Sequence, residues 1–332
     1  MINNCLVLDT TSTNPYHNLA LEEYLLGKVP AGSCLLYLWQ NRHTVVIGKN
    51  QNAWKECQVG LLEAEQGFLA RRISGGGAVY QDLGNLCFTF IMAEADYDLS
   101  RQTKVILDAV QRLGIEAEQS GRNDITVEGK KFSGNAFYHG NGMAYHHGTL
   151  LVQVDMNMLP RYLSVDPAKI KAKGVDSVRS RVTNLTDYCP DLTIDMMKKE
   201  LVESFAKLYG QGSYTLWQER DFDEEEILRL TEKFASRDFR LGVRRPFQAE
   251  LTQRFPWGDM QIQLATAEGQ IKDAQVYSDA MDVQFIEAIA TALKGTPLLP
   301  GACQKALEQV TVSPETKPHL RDIQQLLQKE GF

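Results

Sequence analysis

Arg-Arg-Ile-Ser-Gly-Gly-Gly-Ala-Val-Tyr, residues 71–80, is the most informative stretch of this chain. Its three consecutive glycines remove every side chain from a short backbone segment, so the N–H groups can approach an anion closely. Arg71 and Arg72 place two fixed positive charges just before it. The pattern is typical of a loop that binds a phosphate or a carboxylate. A glycine-rich turn between two strands, with solvated arginines, explains the same residues equally well.

The composition is that of an ordinary globular protein. The chain has 332 residues, of which 43% are hydrophobic and 23% charged, enough for one large domain or two smaller ones. Its net charge of −7 disfavours a general nucleic-acid binder. No apolar run approaches the roughly 18–20 residues of a membrane helix, and the N-terminus lacks the pattern of a signal peptide. We therefore expect a cytoplasmic protein with no nucleic-acid or membrane partner.

The cysteines and histidines do not form a recognisable metal or redox motif. The six cysteines show no CxxC spacing, so we expect reduced, mostly buried thiols. His146 and His147 are adjacent in a predicted strand and therefore point to opposite faces, so they cannot both bind one ion. A catalytic zinc site is not expected.

Predicted strands and helices alternate irregularly, and several strand pairs look hairpin-connected. This favours an α+β fold with mixed, largely antiparallel sheets and packed helices. A helix is expected over 18–26, with Asn18 as a possible N-cap. Proline, tryptophan and glycine near 242–257 indicate a boundary. We expect a catalytic domain over 1–245, a linker over 246–257 and a small α+β domain over 258–332.

A second dense segment surrounds Lys131. Gly-Arg-Asn-Asp, residues 121–124, is followed by Lys-Phe-Ser-Gly at 131–134, and Glu-Gly at 128–129 predicts a hairpin between them. Such a hairpin places the lysine beside Asn123 and Asp124, where it can act as a point charge near phosphates. The Asn-Asp pair can orient the lysine or hold a hydrated Mg²⁺. An exposed surface hairpin is the alternative.

A third segment, 169–184, concentrates basic residues in a chain that is acidic overall. Glycine and serines among them indicate a flexible loop, which suits a lid over a phosphate-bearing ligand. A solvated charged face is the alternative. The P-loop spacing is absent, as is a GxGxxG following a strand.

Taken together, these motifs resemble those of the lipoate–protein ligase A family over nearly the whole length. The resemblance includes residues 18–23, 44–48, 52–56, 71–80, 82–85, 121–124, 131–134, 146–150 and 177–184. It implies a fold shared with biotin ligases, and the last 75 or so residues look like the family's small accessory domain.

The resemblance also implies a two-step reaction. Lipoate and Mg·ATP give lipoyl-AMP and pyrophosphate, and the lipoyl group then passes to a lysine of an acceptor domain. The implied acceptors are the E2 subunits of 2-oxoacid dehydrogenases and the glycine-cleavage H protein. ATP and Mg²⁺ are the implied cosubstrate and metal, octanoate is an alternative acyl acid, and we expect a monomer.

Site residues follow from the same resemblance. Lys131 is the expected catalytic residue, in contact with both the lipoyl carbonyl and the α-phosphate, and Asp124 is a candidate Mg²⁺ ligand. The expected ATP and adenylate contacts are Arg72, Gly77, Ala78, Val79, Tyr80, Asn123, Lys131, Asn135, Lys173, Ser177, Arg179 and Arg181. The expected lipoate contacts are Leu21, Trp39, Val46, Arg72, Ser74, Gly75, Gly76, Lys131 and His147. For Leu21, Trp39 and Val46, core packing is an equally good explanation.

Two other functions remain open at this point. A thiol-dependent acyl transferase needs a cysteine nucleophile near the lysine, and residues 157–166 contain none. A sensor that keeps the pocket without the chemistry is disfavoured by Lys131 and the basic loop. One departure from the family is visible, since Gln81 stands where many members have histidine, and glutamine cannot carry its charge.

Overall fold

The chain forms fourteen strands and eleven α-helices over the residues described by the structure, a computed structural model that covers 2–121, 123–164, 181–243 and 245–332. The strands are β1 (Asn4–Asp9), β2 (Ser33–Trp39), β3 (Thr44–Ile47), β4 (Phe68–Arg71), β5 (Val79–Gln81), β6 (Asn85–Ala93), β7 (Glu118–Ser120), β8 (Asp124–Val127), β9 (Lys130–Gly140), β10 (Met143–Leu151), β11 (Thr215–Leu216), β12 (Ala249–Phe255), β13 (Gly258–Ala267) and β14 (Gln270–Ser278). The helices are α1 (Pro15–Leu26), α2 (Ala53–Glu56), α3 (Val59–Ala64), α4 (Leu99–Arg112), α5 (Met158–Tyr162), α6 (Ile194–Tyr209), α7 (Glu224–Ala235), α8 (Arg237–Leu241), α9 (Val283–Leu293), α10 (Ala302–Leu307) and α11 (Lys317–Lys329).

Two compact units divide the chain. The first comprises Met1–Val46, Trp54–Arg72 and Ala78–Arg240, and the second comprises Ile47–Ala53, Ile73–Gly77 and Leu241–Phe332. The glycine stretch therefore belongs to the second unit, although its neighbours in sequence belong to the first. Among the described residues, no helix combines the length and apolarity needed to cross a bilayer.

The first unit is built on an eight-stranded sheet in the order β11-β1-β2-β6-β10-β9-β8-β7. Parallel pairing is confined to β1 with its neighbours β2 and β11, while the described pairs from β2 to β7 are antiparallel. A smaller sheet, β4-β3-β5, belongs to the same unit. The predicted α+β class with mixed, largely antiparallel sheets is confirmed.

The alternation of side chains along β6 separates two chemically different faces of the sheet. Phe88 and Phe90 point into an apolar cluster with α4 and α6, where Phe90 lies 5.9 Å from the ring of Phe205. Thr89, between them, points to the other face and donates a hydrogen bond of 2.6 Å to Glu22 of α1. One face of the sheet thus packs into an apolar core, and the other face carries buried polar groups.

Helix α1 begins three residues earlier than the sequence predicted. Asn14 is its N-cap, accepting from the Tyr16 N–H, and Pro15 occupies the first turn, where a missing N–H costs nothing. Asn18 is instead a buried residue inside the helix that donates to the carbonyls of Ser12 and Gln40. Its amide ties the helix to two loops rather than capping it.

The predicted hairpin around Lys131 is present as β8 and β9. Glu128 and Gly129 both have positive φ values, 51° and 74°, as a two-residue type I′ turn requires. A register shift between Ile125 and Thr126 then brings Thr126 opposite Lys131. The turn and the bulge together set the position of the lysine on the strand.

The second unit contains the three-stranded antiparallel sheet β12-β13-β14, with the apolar sides of α9, α10 and α11 packed against it. The linker predicted over 246–257 is wrong for most of its length, because Ala249–Phe255 is a paired edge strand of this sheet. The prolines that suggested a linker flank the strand, where a missing N–H removes no ladder bond.

Two glycines of the first unit make a matched stability test. A Cβ at Gly84 would lie 2.0 Å from the carbonyl oxygen of Gln153, whereas a Cβ at Gly60, in α3, meets no atom within 4 Å. We expect Gly84→Ala to lower the free energy of unfolding by about 2 kcal/mol or more. Gly60→Ala should leave it unchanged or raise it by up to about 1 kcal/mol. Urea denaturation measures both, and equal effects would contradict the close approach at Gly84.

Candidate functional site

Lys131 is held by both its backbone and its side chain. Its N–H donates to the Arg181 carbonyl at 2.8 Å, and its own carbonyl accepts from the Thr183 N–H at 3.0 Å. Its half-buried Nζ lies 2.7 Å from Oδ1 of Asp124. A Cβ at Gly134 would lie 2.9 Å from Cε and Nζ, so this glycine leaves room for the lysine. These contacts therefore hold the ammonium group at one end of the hairpin, where it stays partly exposed.

A pair of asparagines ties β9 to the residue before β8. The Asn135 backbone N–H and its side-chain Nδ2 both donate to the Asn123 carbonyl at 2.9 Å. Asn123 returns a bond of 3.0 Å from its own Nδ2 to the Asn135 carbonyl. Because Asn123 directly precedes Asp124, these bonds also fix the carboxylate that pairs with Lys131.

His146 and His147 point to opposite faces of β10, as predicted. His146 lies on the apolar face. Its Nε2 is 2.8 Å from Oδ1 of Asn135, and its Nδ1 is 3.1 Å from Oε1 of Gln102. His147 lies on the other face, with Nδ1 2.8 Å from Oε1 of Glu22. Burial, with a smaller contribution from the neighbouring His147, lowers the pKa of His146 to about 3, so its ring is neutral.

A buried polar chain runs along the face of the sheet that α1 covers. Trp39 donates from Nε1 to Oγ1 of Thr89 at 3.1 Å, and Thr89 donates onward to Glu22, which His147 also contacts. Each of these side chains is buried. Such groups are costly in a core unless they are hydrogen-bonded, and here they are.

The two arginines before the glycine stretch have different environments. Arg71 donates to the carbonyls of Phe239 and Arg240 and is a structural residue. Arg72 is buried, with Nη1 3.4 Å from the Val46 carbonyl. Burial lowers the pKa of Arg72 to about 10, opposed by Tyr145 and Glu22, so the guanidinium stays charged at neutral pH. Arg72 is thus a buried cation beside the polar chain.

The glycine stretch owes its composition to close backbone packing within the second unit. A Cβ at Gly75 would lie 2.4 Å from the Ala280 carbonyl oxygen, and one at Gly48 would lie 2.2 Å from that of Gly76. The Ser74 carbonyl accepts from the Lys49 N–H at 2.9 Å. Ser74, Gly75 and Gly76 are buried, whereas Gly77 is exposed. The sequence suggested an anion cradle or a turn, and tight packing is a third reason for the glycines.

The residues after the glycines return to the first unit. Ala78 and Val79 are half-buried, and Tyr80 is buried with its ring stacked 5.7 Å from that of Tyr162. Gln81 is also buried, and its Oε1 accepts from Nδ2 of Asn41 at 2.7 Å. The glutamine is thus part of an amide network with Asn41 and Asn18.

The remaining predicted site residues fall into three groups. Leu21 and Val46 are buried core residues, as is Trp39, which also belongs to the polar chain. Arg181 is exposed next to the lysine strand. Lys173, Ser177 and Arg179 lie outside the described residues.

Sequence reasoning missed two groups of partners. Glu22 follows Leu21 on a largely buried helix, and the signal that was available is a carboxylate within a run of leucines. Gln102 contacts His146 from α4, an element distant in sequence, and no local pattern reveals that contact.

The thiols are poor candidates for a nucleophile. Burial raises the thiol pKa to about 11 at Cys5 and about 12 at Cys57, and it also raises it at Cys34, Cys87 and Cys303. A thiol is nucleophilic as the thiolate, so these shifts oppose covalent catalysis. Cys189 is only half-buried. The described residues contain no group of three or more His, Cys, Asp or Glu that could hold a metal ion.

Chemically, the first unit offers cations and hydrogen-bond donors rather than a nucleophile. Lys131 is a partly exposed point charge, and Arg72 is a buried one. Groups of this kind stabilise negative charge that develops on a phosphate or carboxylate.

Comparison with known proteins points to one family. A family model described as the lipoyl protein ligase A/B catalytic domain matches residues 14–206, and one described as the bacterial lipoate protein ligase C-terminus matches 245–327. A lipoate-protein ligase A from Psychrobacter cryohalolentis is 38% identical over 294 residues, 86% of this chain and 87% of that protein.

Solved structures agree with this assignment. The LipL1 protein of P. falciparum in complex with lipoate superposes with a TM-score of 0.87 at 28% identity, covering 98% of this chain and all of that one. A lipoate-protein ligase A bound with ATP superposes with a TM-score of 0.62 at 27% identity, covering 73% and 99%.

The neutral state of His146 has a measurable consequence. In the unfolded chain the imidazole binds a proton below its ordinary pKa of 6.5, whereas in the folded chain it does so only near 3. The unfolded state therefore binds more protons between these values, and stability falls as the pH falls through that window. Between pH 7 and pH 5, His146 alone should cost about 2 kcal/mol.

Urea denaturation of the wild type and of His146→Gln at both pH values checks this. We expect the wild type to lose about 2 kcal/mol more than the variant over that range. Identical losses would show that His146 is not held neutral by burial.

Proposed function

The chain belongs to the lipoate–protein ligase A family, and we propose that Lys131 is the residue on which both of its chemical steps depend. As a ligase of this family, the protein activates lipoate with ATP and transfers the lipoyl group to a lysine of an acceptor protein. The proposal depends on one observation. The ammonium of Lys131 is partly exposed at the end of the hairpin and is held 2.7 Å from Asp124.

In the first step, an oxygen of the lipoate carboxylate forms a bond to the α-phosphorus of ATP, and the bond to the pyrophosphate oxygen breaks. Negative charge accumulates on the phosphate oxygens during this exchange. In the second step, the acceptor amine bonds to the lipoyl carbonyl carbon, loses a proton, and AMP leaves. Neither step needs a protein nucleophile, and both need cations near developing oxyanions.

Lys131 suits both steps because it is a compact charge on a flexible stem at an exposed strand end. We propose that it contacts the α-phosphate in the first step and the lipoyl carbonyl in the second. Its ion pair with Asp124 holds the ammonium in place until substrate oxygens replace the carboxylate. Asn123, Asn135 and the backbone from Gly77 to Tyr80 would contribute further contacts to the nucleotide.

The face of the sheet that carries the buried polar chain suits the lipoate substrate. Trp39, Leu21 and Val46 supply apolar surface, while Arg72 supplies a buried cation that a carboxylate would neutralise. We propose that lipoate lies along this face, with His147 fixed by Glu22 among its contacts.

Mg²⁺ would enter with ATP as part of the substrate. A hydrated Mg²⁺ binds through one or two carboxylates together with phosphate oxygens, and the half-exposed Asp124 carboxylate is a suitable donor. The ion would neutralise phosphate charge, and Asp124 would help to orient it.

The acceptors that we propose are lipoyl domains of 2-oxoacid dehydrogenase E2 subunits and the glycine-cleavage H protein, with the ligase acting as a monomer. Octanoate is a second acyl substrate to test, because it differs from lipoate in the dithiolane end of the chain. Mass spectrometry of several acceptor domains with the purified enzyme, lipoate and Mg·ATP would identify those that are modified.

Two neighbouring lysines allow a matched test of the catalytic assignment. We expect Lys131→Ala to reduce lipoate-dependent ATP–pyrophosphate exchange by at least about a hundredfold, the scale on which loss of one oxyanion-stabilising group acts. Lys130→Ala, one residue away and exposed, should retain the wild-type rate. Both substitutions should change the free energy of unfolding by less than about 0.5 kcal/mol. Normal lipoyl-AMP formation by Lys131→Ala would refute the assignment.

The thiol-dependent alternative is tested by replacing the cysteines one at a time. We expect Cys189→Ser, and each buried cysteine changed to alanine in a variant that folds, to retain ATP-dependent transfer, because the buried thiols are poorly ionised. Transfer is followed by the mass of the acceptor. An essential cysteine, with transfer from an acyl thioester in the absence of ATP, would favour the alternative. A folded protein without any exchange activity would favour a sensor.

A further inference from the structure

A continuous hydrogen-bonded chain connects the interior of α4 to the strand that carries Lys131. It runs from Gln102 through His146 and Asn135 to Asn123, with contacts of 3.1, 2.8 and 2.9 Å. Gln102 and His146 are almost completely buried, and neither belongs to the proposed substrate contacts. The two-step mechanism therefore leaves Gln102 and His146 without a role.

The hydrogen-bonding pattern determines which nitrogen of His146 carries the proton. Asn135 uses its NH₂ group on the Asn123 carbonyl, so its Oδ1 faces the ring and needs a donor. A neutral imidazole has one N–H, which must then be at Nε2. Nδ1 accepts, and Gln102 must turn its NH₂ group toward it, which costs little because its other amide contact is the thioether of Met92.

The ring has little freedom to move. It lies 5.4 Å from Phe88 and 5.2 Å from Phe137, and both are aromatic contacts on the apolar face. Gly148 makes the contact with Asn135 possible, because a Cβ there would lie 2.6 Å from Asn135 Oδ1 and from Phe88 Cζ. Packing thus sets the ring position, and the ring sets the direction of the Asn135 amide.

Asn135 in turn determines the position of the lysine's partner. Its amide and backbone hold the Asn123 carbonyl, and the next residue, Asp124, pairs with Lys131. Rotation of the Asn135 amide would release one of the bonds to Asn123 and allow the start of β8 to move relative to β9.

We propose that His146 is a positioning residue, whose Nε2–H orients Asn135 and through it holds the Asn123–Asp124 segment and the Lys131 ammonium in register. The proposal rests on the proposed function in assigning catalytic importance to Lys131. The positioning itself is a separate claim about the hairpin. The neutral ring demanded by this pattern agrees with the burial that lowers the pKa of His146.

Two variants separate donation from packing. His146→Phe keeps a ring among the neighbouring aromatic side chains but removes the donor, whereas His146→Gln places an amide N–H near the position of Nε2. His139→Phe, an exposed histidine on β9, is the matched control. All are assayed well below their melting temperatures, and kcat and KM for lipoate are measured in lipoyl-AMP formation.

We expect His146→Phe to lower kcat between about tenfold and about a hundredfold, as small misplacements of catalytic groups do, with little change in KM. His146→Gln should recover most of the loss, and His139→Phe should match the wild type. A residue that merely stabilises the fold would change the melting temperature without lowering kcat selectively over KM. Unchanged kcat in His146→Phe, while Lys131→Ala is inactive, would overturn the proposal.

The reactivity of Lys131 provides a readout independent of activity. Acetic anhydride labels free amines, and mass spectrometry can compare Lys131 with its exposed neighbour Lys130 in the same molecule. In His146→Phe the ratio of Lys131 to Lys130 labelling should rise, because the Asp124 ion pair is loosened, and His146→Gln should restore it. An unchanged ratio would overturn the positioning even if Lys131 proves catalytic.

Should His146→Phe fail to fold, Gln102→Met removes the amide that donates to Nδ1 without altering the strand, so the proton of His146 is no longer confined to Nε2. We expect the same direction of change in kcat and in Lys131 labelling. A wild-type kcat and labelling ratio in folded Gln102→Met would overturn the proposal.

Discussion

The antiparallel register of β10 with β6 on one side and β9 on the other determines to which face of the sheet the buried polar groups of β10 point. Because successive side chains alternate between faces, His146 and His147 are committed to different environments by one residue of register. A slip of one position would exchange them, placing the partner of Glu22 in the oily core and the partner of Asn135 under α1. The chemistry on both faces therefore depends on the backbone ladder.

The buried charges strongly disfavour any other register, and they also make the native one energetically costly. Glu22 and Arg72 are almost completely inside the protein, where an unpaired ion would be strongly destabilising. Hydrogen bonds from Thr89 and His147 to Glu22 offset the desolvation of its carboxylate. A core of the same volume made of leucine and phenylalanine would serve stability at least as well, so stability alone does not explain these groups.

Local sequence patterns predicted local structure well, as the hairpin and the two histidines of β10 show. The Glu128–Gly129 turn predicted the hairpin, since few residue pairs adopt two positive φ values. The opposite directions of His146 and His147 follow from strand geometry alone. The resemblance to a family then supplied roles that no pattern of charges or glycines could have assigned.

The errors and omissions arise where local signals compete or contacts are distant. Asn18 and Asn14 are both suitable N-caps, and Pro15 at the first helical position was the deciding signal. Arg71 and Arg72 are adjacent and chemically identical, yet Arg71 donates to the carbonyls of Phe239 and Arg240 in α8, whereas Arg72 is buried with Nη1 near the Val46 carbonyl. The partners of Arg71 lie more than a hundred residues away in the sequence, where no local pattern reveals them.

In the proposed mechanism, which needs no protein nucleophile, the two faces of the sheet have different roles. On the α1 face, apolar surface and a buried cation suit an acyl chain ending in a carboxylate. On the other, packed rings and amides hold rigidly the strand that carries Lys131. A catalyst that acts by placing charge gains from such rigidity, because an oxyanion is stabilised most by dipoles that do not have to reorganise. In the proposed mechanism, the aromatic core around His146 therefore matters as much as Lys131 itself, because it fixes the strand from which that lysine would act.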